Sequence, residues 1–227
     1  MKMRRSVYYL ILTRVAIALM ITWAMAEDKP VSTSETPPST ASPQATIAPT
    51  DSFKSYPDHS FHMYVKQYIK DMKKGGHNLL IWRDPSVNLS QYGSVKVTEF
   101  GGRLLPEQNV FSYDPYIALF NSVFRSSLRL SQKESPDALL IEGAVVECNP
   151  GSRAARAWVG FGAGRAGCAV VCEVYEPGKL NPCIRIYTRD TGASGTWGGD
   201  SVLLLNNIMT VIGTRLATTL NTTIPIK

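Results

Sequence analysis

The apolar positions of this chain follow two rhythms. Phe61, Tyr64, Val65, Tyr68, Ile69 and Met72 recur at helical spacing behind Asp58 as a cap, and Gly75-Gly76 ends the run, which predicts an amphipathic helix over 57–76 with Lys66, Lys70, Lys73 and Lys74 on its outer face. Ser94 to Phe100 alternates and predicts a strand. Asp114-Pro115 opens a second helix with Tyr116, Ile117, Phe120, Val123, Phe124 and Leu128 inward and Arg125 and Arg129 outward. Ala138 to Val146 predicts a strand. Cys168 to Tyr175, a Pro177-Gly178 turn and Cys183 to Thr188 predict a hairpin, and Leu205, Ile208, Met209, Ile212 and Leu216 mark one face of a last helix from Ser201 to Leu220. The order strand, helix, strand, strand, strand, helix predicts an α/β (α+β) two-layer sandwich. About four strands form a mixed sheet with two helices on one face, preceded by the extra amphipathic helix. The predicted main domain spans 79–222.

The N-terminal quarter breaks both rhythms. Lys2, Arg4 and Arg5 precede an apolar run from Val15 to Met25, and Ala24-Met25-Ala26 suits cleavage, so residues 1–26 read as a signal peptide. The rival is an uncleaved anchor from Val7 to Ala26, within which Arg14 is costly near a bilayer centre. Residues 27–56 form a tether rich in Pro, Ser and Thr, with hardly a large apolar side chain before residue 50. These readings predict an exported protein of the periplasm or cell envelope, with membrane association through the N-terminus if the signal is retained. Charge adds one exclusion. Four of the 24 Lys and Arg lie in the signal, leaving 20 against 18 Asp and Glu, so the rest of the chain makes no global electrostatic case for nucleic acid.

Between the second and third predicted strands lies GSRAARAWVGFGAGRAG, Gly151 to Gly167, with five glycines and three arginines. Gly162, Gly164 and Gly167 match the spacing of a dinucleotide fingerprint, but that motif needs a helix behind it to supply amides and dipole, and Cys168 to Tyr175 predicts a strand. The glycines instead suit a hairpin or crossover connection that needs positive φ and close contact. Arg153, Arg156, Gly160, Gly162, Gly164 and Arg165 are the candidate binding loop, suited to an anionic or protein contact, although exposed loop arginines are commonly only solvated.

Cys148, Cys168, Cys172 and Cys183 are an even set in an exported chain and are disulfide candidates. Cys168 and Cys172 are too far apart along one strand to bridge each other; they share a face with Val170 and Val174, which suits buried thiols. A bond from Cys148 to a neighbouring strand stays open. His59, His62 and His77 surround the first helix without nearby Cys ligands and make a poor metal site. Hydrolytic signatures are missing, and Asp190 and Asp200, flanking TGASGTWGG, are the one carboxylate pair for acid–base work, set against ordinary turn formation. No catalytic residue, cofactor or metal is assigned.

The run GSRAARAWVGFGAGRAGCAVVCEVYEPGKL resembles the signature of bacterial envelope proteins catalogued as domain of unknown function 4410, and LLIWRDPSVNLSQYGSVKVTEF resembles the opening strand of the lipoprotein family catalogued as domain of unknown function 3313. The resemblance implies an exported envelope domain with the fold of small auxiliary lipoproteins. It carries no catalytic residues. The chain departs from the lipoprotein pattern in having no cysteine after its signal to accept a lipid.

Three functions fit these features. The leading one is a non-enzymatic envelope domain that binds an envelope protein or complex through the loop from Arg153 to Arg165. The others are an enzyme binding a small ligand or phosphate with that loop and Asp190 or Asp200, and a membrane-surface protein held by an uncleaved anchor and the Lys66–Lys74 face.

Overall fold

The computed structural model describes residues 52–57, 61–103, 112–151, 165–192 and 200–225, all within the unit Ile47–Lys227. The signal peptide, most of the tether and Asp58 and His59 lie outside the described residues. Three helices are described, α1 (Phe61–Tyr68), α2 (Asp114–Ser127) and α3 (Ser201–Thr223), and seven strands: β1 (Lys73–Gly76), β2 (Leu79–Arg83), β3 (Val95–Val97), β4 (Gly101–Gly102), β5 (Leu139–Asn149), β6 (Ala166–Tyr175) and β7 (Ile184–Gly192). They form one mixed sheet in the order β1-β2-β7-β6-β5-β3, with β4 also on β5. Only β3 and β4 run parallel to β5; the other pairs are antiparallel.

The mixed α+β class is as the periodicity predicts, but the sheet has seven strands, not about four. One of the added strands, β1, comes from the segment that predicts a helix through Gly76, and β2 follows directly after it. The helix ends at Tyr68, and Lys73–Gly76 pairs with Leu79–Ile81. The reason is steric as much as conformational. A Cβ at Gly75 would lie 2.6 Å from Ile81 Cγ2 and 2.8 Å from Leu79 Cδ2, so the glycine serves close strand contact as well as ending a helix. Its four residues are all exposed, and a short edge strand bearing Lys73 and Lys74 discourages pairing with another chain. The single strand expected over Ser94–Phe100 is likewise two short ones. Between them Phe100 turns into the core, where Asn121 Nδ2 donates to its carbonyl at 2.9 Å and its amide donates to Asn121 Oδ1 at 3.0 Å.

Both long helices cover one face of the sheet. Tyr116, Phe120, Phe124 and Leu128 of the α2 stripe and Leu205, Ile208, Met209, Ile212, Leu216 and Leu220 of α3 join Ile141, Val145, Val170, Val174, Ile184 and Ile186 in one core. α3 is apolar and long enough to cross a membrane by composition, yet this stripe is buried in the domain, as expected of a core helix. The other face carries α1 and the 3-10 turn Phe53–Ser55, whose Phe53, Phe61 and Tyr68 pack on Ala144, Val146, Ala169 and Val171. Covered on both sides, β6 is buried at all ten positions.

Candidate functional site

The strand directions gather several connections at one end of the sheet. β5 ends there at Asn149, β6 begins at Ala166, β7 ends at Gly192 and α3 starts at Ser201; the β1–β2 turn meets the same end, because Leu79 pairs with Thr188. The glycine- and arginine-rich segment therefore joins two antiparallel neighbours, with Asn149 opposite Gly167, and it leads into a strand. A dinucleotide cradle would need a helix at that place, and β6 occupies it. At the near end of the segment Gly151 adopts φ 72° and donates its amide to Asn149 Oδ1 at 2.8 Å, a turn that a side chain at this position would strain. Arg165 is exposed at the far end. Arg153, Arg156, Gly160, Gly162 and Gly164 lie outside the described residues.

On the face that carries α1, over the β1–β2 hairpin and the end of β7, is an open groove of about 340 Å³. Leu80 and Tyr187 give it apolar surface, and Lys74, Asn78, Arg189 and Thr191 bring polar groups to it. Burial, with the nearby Glu147 carboxylate second, pushes the Tyr187 phenol up to about 12, so it is a neutral donor in ordinary conditions. Arg189 is held by Glu147 in a two-pronged pair, Nε to Oε2 at 2.7 Å and Nη2 to Oε1 at 2.8 Å, and these bonds raise its pKa above the usual guanidinium value. Gly167 makes room for the pair, since a Cβ there would sit 2.9 Å from Glu147 Oε1. Lys74 is exposed and has no ion pair among the described residues. The groove thus presents an ammonium, a neutralised guanidinium and amide and hydroxyl groups beside an aromatic ring, a set suited to hydroxyl-bearing or singly anionic groups.

Asp190 and Asp200 have structural partners. Asp190 accepts from Arg215 Nη2 at 2.6 Å, which ties α3 to β7, and from the Thr191 amide at 2.8 Å. Asp200 caps α3 by accepting from the Val202 amide at 2.9 Å. His77 is exposed, and no group of three or more metal-ligating side chains occurs among the described residues. Lys66, Lys70, Lys73 and Lys74 are all exposed, the first two on or just past α1 and the others on β1.

All four cysteines are free and buried. Cys168, Cys172 and the two valines between and after them point into the core under α2 and α3, as the alternation predicts. Burial pushes the Cys183 thiol up to about 11 and raises Cys172 well above an ordinary thiol; the hydrogen bond that Cys168 donates to Cys148, then burial, raises Cys168. These are protonated thiols, unsuited to nucleophilic attack from the folded state.

Periodicity misses the polar cluster beneath α1. Glu173, wholly buried in the middle of β6, accepts from the Phe53 amide at 2.7 Å, Ser52 Oγ at 2.8 Å, Tyr68 Oη at 3.0 Å and Tyr175 Oη. Arg185 stands opposite it in the β6–β7 register, over the Trp82 ring at 4.6 Å, and donates to the Tyr68 carbonyl at 3.3 Å. The signal was a glutamate and an arginine each inside an apolar strand; only the register shows that they face each other.

No curated protein matches the chain. Among solved structures, the PelC dodecamer from Paraburkholderia phytofirmans is similar in two crystal forms: one, a point variant, at 14% identity and TM-score 0.39 over 63% of this chain and 97% of that one, the other at 11% and 0.37 over 60% and 96%. Residues 121–194, from within α2 to just past β7, match the family model described as domain of unknown function 4410, the family that the glycine tract resembles.

Proposed function

We propose that this chain is a non-enzymatic, exported, envelope-associated protein that binds another envelope component, and that the contact is made at the sheet end where Arg165 enters β6. The observation that carries this reading is topological: the segment richest in glycine and arginine is a connection between paired strands, with no helix behind it to hold a phosphate. The two aspartates nearest that end already brace α3, which leaves them poorly placed for acid–base work. The apolar face of α1 is spent on the sheet, and the exposed positions left on this short helix, Met63, Lys66 and Gln67, are a small surface for a bilayer.

Replacing Arg153, Arg156 and Arg165 together by alanine and repeating a pull-down from envelope extracts tests the contact. Loss of the captured partners is expected; recovery at the level of the unchanged protein moves the contact elsewhere. Export is tested by mass spectrometry of the mature N-terminus, with a chain beginning at Glu27 expected and one retaining Met1 pointing to the anchored alternative.

A second reading, binding of a small ligand, is favoured by the groove between Lys74, Tyr187 and Arg189. A thermal-shift screen of phosphates, nucleotides and cell-wall fragments separates the two, since a ligand at 100 times its dissociation constant stabilises by about 2.7 kcal/mol. A flat screen leaves the protein contact.

A further inference from the structure

Four cysteines allow three complete pairings, and sequence does not choose among them. The sheet register does. Cys148 of β5 and Cys168 of β6 are direct antiparallel partners, with both side chains in the core under the helices and the two sulfurs 4.0 Å apart. Directly opposed residues in an antiparallel pair have Cα atoms about 4.5 or 5.5 Å apart, inside the range of about 4.4–6.8 Å that disulfides span, so rotation of the side chains brings the sulfurs together with the strands left in place. The other two thiols have no such partner. Cys172 stands between Gly143 and Ile186, and Cys183, one residue before β7, donates its thiol to the Val174 carbonyl at 3.3 Å.

We propose that Cys148 and Cys168 are a disulfide site that closes the base of the glycine- and arginine-rich connection, while Cys172 and Cys183 remain thiols. The oxidant is a disulfide, either a small molecule such as oxidised glutathione or a protein dithiol oxidase. One cysteine thiolate attacks it, forms a mixed disulfide and releases one thiolate; the second cysteine thiolate then attacks the mixed disulfide at the protein sulfur and releases the other. Two hydrogens leave the protein, the oxidant disulfide is reduced to two thiols, and one S–S bond replaces another. Both sulfurs are buried in the folded domain, so exchange takes place while the hairpin is forming or has opened locally. The bond then holds together the two strand ends from which residues 150–165 emerge. This site stands independently of what the connection binds.

The test is refolding of the reduced, denatured full chain in a glutathione redox buffer, followed by alkylation of free thiols and tryptic mapping. Cys148 lies in the peptide 134–153, Cys168 and Cys172 in 166–179 and Cys183 in 180–185. The expected result is a linked 134–153/166–179 pair, a fall from four alkylatable thiols to two, and alkylation of Cys172 and Cys183. To separate Cys168 from Cys172 within the shared peptide, the Cys172→Ala/Cys183→Ala chain is treated in the same way and is expected to lose both remaining thiols. If that variant does not fold, fragmentation of the wild-type linked peptide locates the bonded sulfur. Four alkylated cysteines in folded protein, a link through Cys183, or a bond located at Cys172 would each overturn the proposal.

Discussion

The two faces of β6 are built from alternate residues of one strand and solve the same burial problem in different ways. Cys168, Val170, Cys172 and Val174 meet two long helices through apolar contacts alone. Ala169, Val171, Glu173 and Tyr175 meet a short helix and a 3-10 turn, and this second cover is fixed by hydrogen bonds to one buried carboxylate. Apolar packing is non-directional and tolerates sliding, whereas a carboxylate with four donors fixes one position of the covering segment. The helix face supplies bulk stability; the arm face fixes where Ser52–Tyr68 sits on the sheet.

The largest expected effects fall on the helix face. Gly143→Val places a Cβ 2.1 Å from Phe100 Cε1 and 2.3 Å from the Val171 carbonyl oxygen, and is expected to abolish soluble expression or cost more than about 4 kcal/mol in urea unfolding. A variant of near wild-type stability would mean that this face is looser than it looks. Phe124→Ala, at a wholly buried ring 5.2 Å from Phe100, is expected to cost about 3–5 kcal/mol.

Glu173→Ala leaves buried donors from Ser52, Phe53, Tyr68 and Tyr175 without their acceptor and is expected to cost about 1–3 kcal/mol. Its signature distinguishes the two faces: hydrogen exchange should speed up in α1 and leave β6 protected. Uniform acceleration throughout the domain would show that both covers form one cooperative layer.

The same residue gives a pH dependence. Burial, outweighing the hydrogen bonds that oppose it, raises the Glu173 pKa in the fold above its ordinary 4.5. Between those two values the native state binds the proton that the unfolded chain has released. This contribution to stability is therefore full below the ordinary carboxylate value and declines as pH rises toward the raised one. Urea midpoints of the wild type, measured against Glu173→Gln over that interval, should fall relative to the variant. Parallel curves would remove the carboxylate from the account.

Smaller effects are expected at the sheet end. Asp200→Ala removes the α3 cap and should cost about 1 kcal/mol. Lys74→Ala and Arg165→Ala, both exposed, should stay within about 0.5 kcal/mol of wild type, so any loss of binding they cause reports on contact and not on folding.

How much was legible in the sequence varies along the chain. The α2 and α3 stripes, the Pro177-Gly178 turn and the inward cysteines are local periodicities that any burying surface would select, and they stand as expected. The β1 hairpin was not legible, because Lys73–Gly76 has no apolar alternation and its Gly75 serves contact with Ile81 across the hairpin as well as interrupting a helix. The groove was hidden for a related reason: Lys74 is far in sequence from Tyr187 and Arg189 and meets them only through the β1-β2-β7 order.

The sequence by itself determined the mixed class, the helix-facing half of the core and the placing of a glycine- and arginine-rich connection between two strands, because period and turn chemistry are local properties of a chain. Tertiary structure alone decided that the sheet extends to seven strands, that Glu173 lies beneath a docked arm, and that Cys148 is opposite Cys168. Those facts depend on register and on which segments meet across the sheet, and a one-residue slip in pairing would change them while leaving the periodicity of each strand intact.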